Sequence, residues 1–451
     1  MLVGLGRDIR RVLCLLAGLT AASCGLAIDA EQARICRSAL PALTPGNVRI
    51  NVLRASKGPE PASIRLDYEV LRDDRVPLDR SIVCRFAGEG LSLNKAELTG
   101  IIIDSGPLSE TSLYFLKQFY LDTPEGVAGD PGGGLMGDLP EVPETLAYAL
   151  QQLLVSLPRT AIYALLAAAY ALVFGLVGRI NLAFGELAAV GSAATVAGVG
   201  IALSSGVSSP LIGLGFGLGF ALFAGALHSA VGGYITIAAV KSKSTQPSLI
   251  ATVGLSLALM EYLRLVQSPV AVWLPPIWSE TWPLARAGTF AVGLTPISLV
   301  TSGIGLSAGL ALLLTMKVSA FGRAWRAYAD DPQAAVLFGV DGPRLLIRTL
   351  GIAGAMAGLS GMLIVAQYGG LGFAGGFQFG LKALIAAVIG GIGSISGALL
   401  GGIAVGVAET VWSATMPIDA RDIALYAALV VFLIFRPGGL LGMRELTPRA
   451  V

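Results

Sequence analysis

Eight long hydrophobic stretches fill the chain from residue 146 onward, and they limit the fold more than any other feature of the sequence. They cover residues 150–177, 186–204, 210–239, 248–266, 295–316, 345–367, 381–412 and 422–436. A helix of about 20 residues crosses the roughly 30 Å hydrocarbon core of a bilayer. Because lipid offers no partners for backbone N–H and C=O groups, each stretch must form a helix. We therefore predict an all-α polytopic membrane protein with about eight or nine transmembrane helices.

One stretch, 381–412, is too long for a single crossing and contains the glycine-rich break 390–397. Eight simple crossings would also place Arg436, Arg444 and Arg449 outside, although basic residues favour the cytoplasmic side. We therefore predict an interrupted span with a pair of crossings or half-crossings. Irregular backbone within a membrane lines a cavity or is buried in protein. Four residues of the break thus become candidates for the translocation pathway: Gly390, Gly391, Gly393 and Ser394.

The N-terminal third has a different character. Residues 1–27 place arginines ahead of a short apolar core and end in Gly25-Leu26-Ala27, the pattern of a secretory signal peptide, with an uncleaved anchor as the alternative. Residues 28–125 are charged and alternate in polarity around 64–70, which predicts a small α+β extracytoplasmic domain. A glycine-rich linker, 126–140, then leads to a transmembrane domain, 141–445.

Two cysteines, Cys36 and Cys84, lie in the predicted exported domain, and none lies in the membrane part. Exported proteins form disulfides readily, so a Cys36–Cys84 bridge is predicted, with two free buried thiols as the alternative. If the domain is exported, the first span runs inward. Arg179, Lys241 and the segment 317–341 then lie in the cytoplasm, in agreement with the positive-inside rule.

The segment 317–341 is the one long charged interruption in the apolar second half of the chain. Asp331 before Pro332 is typical of a helix N-cap followed by proline at the first helical position, and Gly339 suits a helix end. We predict two short helices joined by a sharp corner. Such a folded, basic loop suits a docking surface for a soluble partner, although basic residues also collect in ordinary cytoplasmic loops.

Polar residues inside the spans are the remaining functional candidates, because charges in a membrane are costly and usually serve a function. Three lie at a predicted non-helical corner between the first two spans, and one lies near the end of the interrupted span: Asn181, Gly185, Glu186 and Glu409. Glu261 and Arg264 are spaced for a local ion pair. His228 is predicted to pack in the bundle and not to carry protons.

The composition excludes several classes of function. Only 13% of residues are charged, against about 25% in soluble proteins. The net charge of +2 and the lack of a basic aromatic stripe argue against nucleic-acid binding. There is no P-loop, no Cys/His metal cluster and only one histidine. We expect no catalytic residues, metal or cofactor in this chain, so any ATP used must be hydrolysed by another subunit.

An ordered set of motifs gives the chain a family resemblance. They are Tyr163-Ala164-Leu165, the run Ile180 to Glu186, the run Gly322 to Ala327 with Asp330 and Gly339-Val340-Asp341, Gly354 to Gly361, Leu381-Lys382-Ala383, Val388 to Ser394 with Gly397-Ala398, and Pro437 to Gly442. Together these motifs, over residues 146–445, resemble the permeases of ATP-binding-cassette (ABC) importers of the branched-chain amino acid type.

The resemblance implies several partners and roles. The chain would be a permease subunit in the bacterial inner membrane, working with cytoplasmic ATPase subunits, a second permease and a periplasmic substrate-binding protein, with ATP bound only on the partners. The coupling residues would be Gly322, Arg323, Arg326, Ala327, Asp330 and Gly339. Such permeases usually lack the N-terminal domain found here, and its role stays unassigned.

Three alternatives remain open from the sequence. Urea or a short amide could replace the amino acid as the transported solute. The chain could instead be a standalone ion-coupled secondary transporter, although Glu186, Glu261 and Glu409 are few and peripheral for such a path. The exported domain could also be a sensor, but the size of the membrane part argues against a mere anchor.

Overall fold

The computed structural model describes residues 28–441 apart from 45–47, 72–76, 91, 93, 105, 122, 124–129, 132–138, 208, 239–244, 268–272, 280, 288–289 and 392. The predicted signal peptide, most of the predicted linker, Lys241, Arg444 and Arg449 lie outside these residues. The chain divides into two compact units, residues 1–138 with 278–280, and residues 139–277 with 281–451.

The first unit is an α+β fold built on an antiparallel sheet in sequential strand order. Its strands are β1 (Arg49–Lys57), β2 (Ser63–Leu71), β3 (Leu78–Phe86), β4 (Leu98–Ile103) and β5 (Gly106–Pro107). Its helices are α1 (Ala30–Ser38), α2 (Leu40–Leu43) and α3 (Glu110–Leu116), which continues into a π-helical turn, Lys117–Leu121. The alternation around 64–70 correctly predicted β2, whose apolar side chains Ile64, Leu66, Tyr68 and Val70 are buried.

A disulfide holds α1 against the sheet of the first unit. It joins Cys36 of α1 to Cys84 of β3, whose Cα atoms are 5.9 Å apart, and both side chains are fully buried. This is the pair predicted from the sequence. Beside it, the Lys95 ammonium lies 3.0 Å from the carboxylate of Asp29, the residue that caps α1.

The second unit is a helical bundle. Within the described residues, seven of its helices are long and apolar enough to cross a membrane. They are α4 (Glu144–Val177), α5 (Phe184–Ser204), α6 (Pro210–Ala238), α7 (Thr245–Gln267), α8 (Pro296–Val318), α11 (Gly342–Tyr368) and α13 (Ile395–Thr415). The shorter helices are α9 (Ala320–Asp330), α10 (Pro332–Leu337), α12 (Gly375–Gly390) and α14 (Arg421–Phe435), with a 3₁₀ turn at Ile418–Ala420. The predicted polytopic helical fold with an α+β N-terminal domain is confirmed.

The predicted interruption of the span 381–412 is also confirmed, because this stretch forms α12 and α13. Gly391 ends α12 with a φ of 112°, and the Ser394 hydroxyl caps α13 by accepting a hydrogen bond from the Gly397 N–H at 3.1 Å. The C-terminal segment packs onto this break. The N–H groups of Leu440 and Leu441 donate to the carbonyls of Ile389 and Gly390 at 2.8 and 2.9 Å.

The sequence did not predict a hairpin in the loop 267–294. Strands β6 (Trp282–Ala287) and β7 (Phe290–Leu294) pair antiparallel and cover the first part of α4. The Gly293 N–H donates to the Gln151 side chain at 2.8 Å, and Ala147 packs with Ala285 and Val292. The two strands are only six and five residues long, and neither has the alternation that would have predicted it.

Helix α4 lies at the centre of the bundle and contacts α8, α11, α12 and α13. Its residues from Ala161 to Val173 are all buried. Around it the helices approach closely through small residues, as membrane helices do when packing is the main attraction between them. At Gly358 of α11 the approach is closest to α6, where an added Cβ would lie 2.2 Å from the Ala221 carbonyl oxygen.

This contact predicts different outcomes for two glycines of α11. We expect Gly358→Ala to push α11 away from α6 and to lower stability by about 1–3 kcal/mol, the usual cost of overpacking. Gly351→Ala is the matched control, because an added Cβ there meets nothing within 4 Å. The measurement is the thermal unfolding midpoint of the purified protein in detergent. Equal midpoints for both variants would contradict the close packing at Gly358.

Candidate functional site

The segment 317–341 forms two capped helices, as predicted. The Ser319 hydroxyl caps α9 by accepting from the Gly322 N–H at 3.0 Å. The Asp331 carboxylate caps α10 by accepting from the N–H groups of Gln333 and Ala334 at 2.9 and 3.0 Å, with Pro332 at the start of the helix. Gly339 adopts a φ of 89° just after α10. The caps fix the shape of the segment.

A single tryptophan attaches this segment to the central helix. Trp325 of α9 is buried, and its indole Nε1 donates to the Leu172 carbonyl of α4 at 3.1 Å. Its ring lies where a side chain at Gly175 of α4 would be, since an added Cβ there would be 2.5 Å from the ring. The indole therefore joins α9 to the end of α4.

The predicted coupling residues fall into two groups. Gly322 is buried, and an added Cβ there would be 2.0 Å from the Met316 carbonyl oxygen, so it lets α9 turn tightly against α8. The other five are exposed: Arg323, Arg326, Ala327, Asp330 and Gly339. Two of these also brace the turn from α8, because Arg323 donates to the Val318 carbonyl at 3.0 Å and Arg326 donates to the Met316 carbonyl.

Sequence reasoning missed the most exposed part of the segment. Leu337 and Phe338, at the end of α10, are 86% and 90% exposed, and Val336 beside them is also exposed. We call these three residues the apolar tip. Large apolar side chains in a loop between membrane spans are uncommon on a free surface and indicate a binding surface when they occur together. The signal was present in the sequence as Val-Leu-Phe after a capped helix start.

The predicted corner between the first two spans differs from expectation. Gly185 and Glu186 lie in the first turn of α5 and not in an irregular corner, because α5 already begins at Phe184. Glu186 is fully buried. The Ser256 hydroxyl is 3.4 Å from one of its carboxylate oxygens, and Gly376 packs on the other. Gly185 allows this contact, since an added Cβ would be 2.2 Å from the Gly376 carbonyl oxygen.

Asn181 has a structural explanation. Its side-chain oxygen accepts from the Ala183 N–H at 3.0 Å, and its own N–H donates to the Tyr170 hydroxyl at 3.2 Å. These bonds satisfy backbone groups between α4 and α5. The glycine break is similar, because Gly390 supplies its carbonyl to Leu441 and Ser394 caps α13. Both features therefore shape the connections between helices.

Four charged side chains meet where α12, α13 and α14 come together. The Lys382 ammonium pairs with the Glu409 carboxylate and lies 3.2 Å from the Asp422 carboxylate. Arg421 lies 3.1 Å from Glu409 and 3.6 Å from Asp422. Lys382 and Glu409 are almost fully buried. We call these four residues the charge cluster; its two positive and two negative charges balance.

The sequence named Glu409 but did not predict the cluster. In the sequence, Lys382 and Glu409 lie near opposite ends of the stretch 381–412. They meet because the break turns α13 back against α12. The sequence around the break does not predict how far the chain reverses, so it does not predict this contact. Arg421 and Asp422 gave no signal, since they read as ordinary residues at the start of a helix.

A cavity of about 280 Å³ opens beside the charge cluster. It is lined by residues of α4, α11 and α12, by the charge cluster and by loop residues. They are Arg159, Ile162, Tyr163, Trp273, Ile364, Tyr368, Gly370, Leu371, Gln378, Phe379, Lys382, Glu409 and Arg421. The Tyr163 ring centroid is 5.9 Å from the Lys382 ammonium. Among the described residues, no group of three His, Cys, Asp or Glu side chains is placed to hold a metal ion.

Residues 152–435 match the protein family described as "Branched-chain amino acid transport system / permease component". The chain belongs to this permease family. It is 34% identical over 307 residues to the high-affinity branched-chain amino acid transport system permease protein LivH of Escherichia coli K12, covering 67% of this chain and 98% of that protein. The corresponding Salmonella typhimurium LivH is 33% identical over 304 residues, with the same coverage of both chains. Pseudomonas aeruginosa BraD is 30% identical over 309 residues, covering 67% of this chain and 99% of BraD.

The permease is thus a multi-pass inner-membrane protein, and permeases of this family work with ATPase and substrate-binding partners. The family match begins at residue 152, so the α+β unit lies outside it. The central helix of this permease carries both features described above. Arg159 lines the cavity, and Leu172 accepts the hydrogen bond from Trp325. The two residues are 13 positions apart, which is about 20 Å along the helix.

The charge cluster predicts unequal effects of single and double substitutions. Glu409→Gln alone leaves an excess positive charge buried in the bundle and should cost about 3–5 kcal/mol. Lys382→Met with Glu409→Gln restores balance, since Arg421 and Asp422 remain paired, so the double variant should lose less stability than the two single variants summed. Thermal unfolding of the purified permease measures both.

Asp419→Asn serves as the control. It neutralises an exposed carboxylate close to the cluster in sequence that forms no ion pair with the described residues, and it should leave the unfolding midpoint within about 1 °C. If the Lys382 and Glu409 losses simply add, the cluster does not act as one balanced unit.

Proposed function

We propose that this chain is the membrane-spanning permease subunit of an ATP-binding-cassette importer that carries branched-chain amino acids, or a similar small polar solute, across the inner membrane. The names of LivH and BraD supply the substrate class. The cytoplasmic-side segment 317–341 supplies the mechanism.

One observation carries the proposal: a folded segment with an exposed apolar tip is anchored to the central helix of the bundle. An ATPase domain that binds the tip and moves with ATP would pull on α9. Because the Trp325 indole is hydrogen-bonded to Leu172, that motion would reach α4 and, through it, α8, α11, α12 and α13. The bundle would then open to one side of the membrane and to the other in turn.

The energy would come from partners. We assign ATP binding and hydrolysis to cytoplasmic ATPase subunits and no ATPase site to this chain. A second permease subunit would complete the pore, and a periplasmic binding protein would deliver the solute. Arg323, Arg326 and Asp330 are exposed on α9 and would supply charged contacts to the ATPase around the apolar tip.

We place the α+β unit, as well as the N-terminus of α4, on the periplasmic side. The buried disulfide supports this placement, because disulfides form in oxidising compartments and are rare in the cytoplasm. With this orientation the segment 317–341 lies in the cytoplasm, where the ATPase subunits are.

The coupling role predicts a loss of the ATPase on changing the apolar tip. Leu337→Asp puts a charge where an apolar contact would form, and since Leu337 is 86% exposed, the permease itself should fold normally. We expect at least a tenfold drop in ATPase subunits that co-purify with the permease from native membranes, with an unchanged unfolding midpoint.

The matched control is Ile418→Asp, the same kind of change at another exposed apolar residue, 63% exposed and outside the segment. It should retain the ATPase. Full retention of the ATPase by Leu337→Asp would rule out the apolar tip as its docking surface.

The exported placement predicts a pattern of thiol labelling. The chain has four cysteines, and removal of residues 1–27 would leave Cys36 and Cys84 alone. Under denaturing conditions without reductant, a maleimide polymer should add to neither thiol of the cell-derived protein; after reduction it should add to both. Labelling without reduction of a chain that lacks its first 27 residues would show reduced thiols and would count against export.

A further inference from the structure

We infer that the cavity beside the charge cluster is a binding site for the two charged groups of a free α-amino acid, with Arg159 holding the carboxylate and Glu409 holding the ammonium. This inference rests on the proposed function, and it adds the place in the permease where the solute is recognised.

Among the cations that line the cavity, Arg159 is the one available to bind an anion. Lys382 and Arg421 are already neutralised by Glu409 and Asp422. Arg159 lines the same cavity and forms no ion pair with any described residue. Its Nη1 reaches only the Thr410 hydroxyl, at a long 3.5 Å, and the Tyr368 hydroxyl lies beside its guanidinium. An arginine held by neutral partners keeps its paired N–H groups for a carboxylate.

The acceptor for an ammonium group is the Glu409 carboxylate. The Glu409 side chain is 1% exposed, and its Oε1 receives Lys382 and Arg421. Its Oε2 is buried and makes no well-formed hydrogen bond with the described residues, although the Tyr163 hydroxyl is nearby. A carboxylate oxygen can accept more than one hydrogen bond, so Oε2 can also accept from an ammonium group, which supplies donors. The Tyr163 ring, which already lies 5.9 Å from the Lys382 ammonium, adds an aromatic surface that suits a cation.

The remaining walls of the cavity suit an aliphatic side chain. Four apolar side chains also line the cavity: Ile162, Ile364, Leu371 and Phe379. Its volume of about 280 Å³ is just below the range of sites for drug-sized molecules, about 300–1,000 Å³, as suits a smaller solute. A branched aliphatic side chain therefore has both room and apolar contacts. Arg159 of α4 lies close to Glu409 of α13, because its Nη1 is 3.5 Å from the hydroxyl of Thr410, the residue next to Glu409.

The position of the cavity fits a recognition step in transport. Arg159 and Tyr163 are on one face of α4, four residues apart, and α4 also receives Trp325 at its other end. A ligand in this cavity would contact α4, α12 and α13 at once. It would thus act on α4, the helix to which the segment 317–341 is attached. No ligand is needed to hold the cluster itself, whose charges already balance.

The test uses the assembled permease with its ATPase subunits in detergent, without a binding protein, and a diazirine analogue of leucine at millimolar concentration. Photolabelled peptides are mapped by mass spectrometry. We expect labelling of peptides that contain residues 159–163 or 368–382. Leucine should compete for labelling at least tenfold better than leucinamide, which lacks the carboxylate, or 4-methyl-2-oxopentanoate, which lacks the ammonium.

Variants separate recognition from folding. Arg159→Gln should lose the preference for leucine over leucinamide while it keeps a normal unfolding midpoint and a normal ATPase content. Arg348→Gln, which removes an exposed arginine of α11 outside the cavity, should keep the preference. A structural role of Arg159 would change stability and leave the preference intact, and that result would overturn the inference.

The outcomes also separate this site from the proposed function. If the complete importer with its binding protein takes up leucine with ATP, but labelling lies elsewhere or does not distinguish leucine from leucinamide, the site is wrong and the function stands. If ATP drives no uptake of leucine and no leucine-sensitive labelling occurs, both fail.

Discussion

The burial of α4 is the constraint on which the bundle depends. A helix whose residues from Ala161 to Val173 are all covered must be surrounded by close neighbours. Helices α8, α11, α12 and α13 contact it, and glycines of α8 and α13 lie against its backbone: Gly305, Gly402 and Gly406. Because every one of these helices contacts α4, a displacement of α4 cannot be absorbed locally. The Trp325 anchor and the cavity at Arg159 both lie on this helix, about 20 Å apart. Under the proposed function, this arrangement would give a short physical path between the ATPase contact and a site for the solute.

The charge cluster shows how the bundle keeps ionised groups within a membrane. Lys382 and Glu409 would each be expensive alone, and Arg421 and Asp422 complete a neutral set around them. The cluster also joins α14 to α12 and α13, so the last described helix is fixed by charge as well as by packing. Arg159 stands outside this balance, and this difference is the reason that we propose it as a ligand-binding group.

The sequence predicted those features that depend on local rules. Hydrophobic length predicted the spans, alternation predicted β2, and Asp331 with Pro332 predicted the corner between α9 and α10. What it could not predict depends on distant residues meeting: the pairing of Lys382 with Glu409, the seat of Trp325 on α4 and the covering of the break by Leu440 and Leu441. Glu186 was misplaced for the same reason, since only the packing of Gly376 on α5 shows that the first turn of that helix is buried.

The central claim is that ATP on partner subunits, and no ion gradient, drives solute movement through this permease. The most direct measurement is uptake of radiolabelled leucine into vesicles that contain the permease, its native ATPase and second permease, and the binding protein. The account predicts uptake that requires hydrolysable ATP and continues when ionophores collapse the proton and sodium gradients. Uptake that needs an imposed ion gradient and proceeds without ATP would contradict it and would identify an ion-coupled transporter.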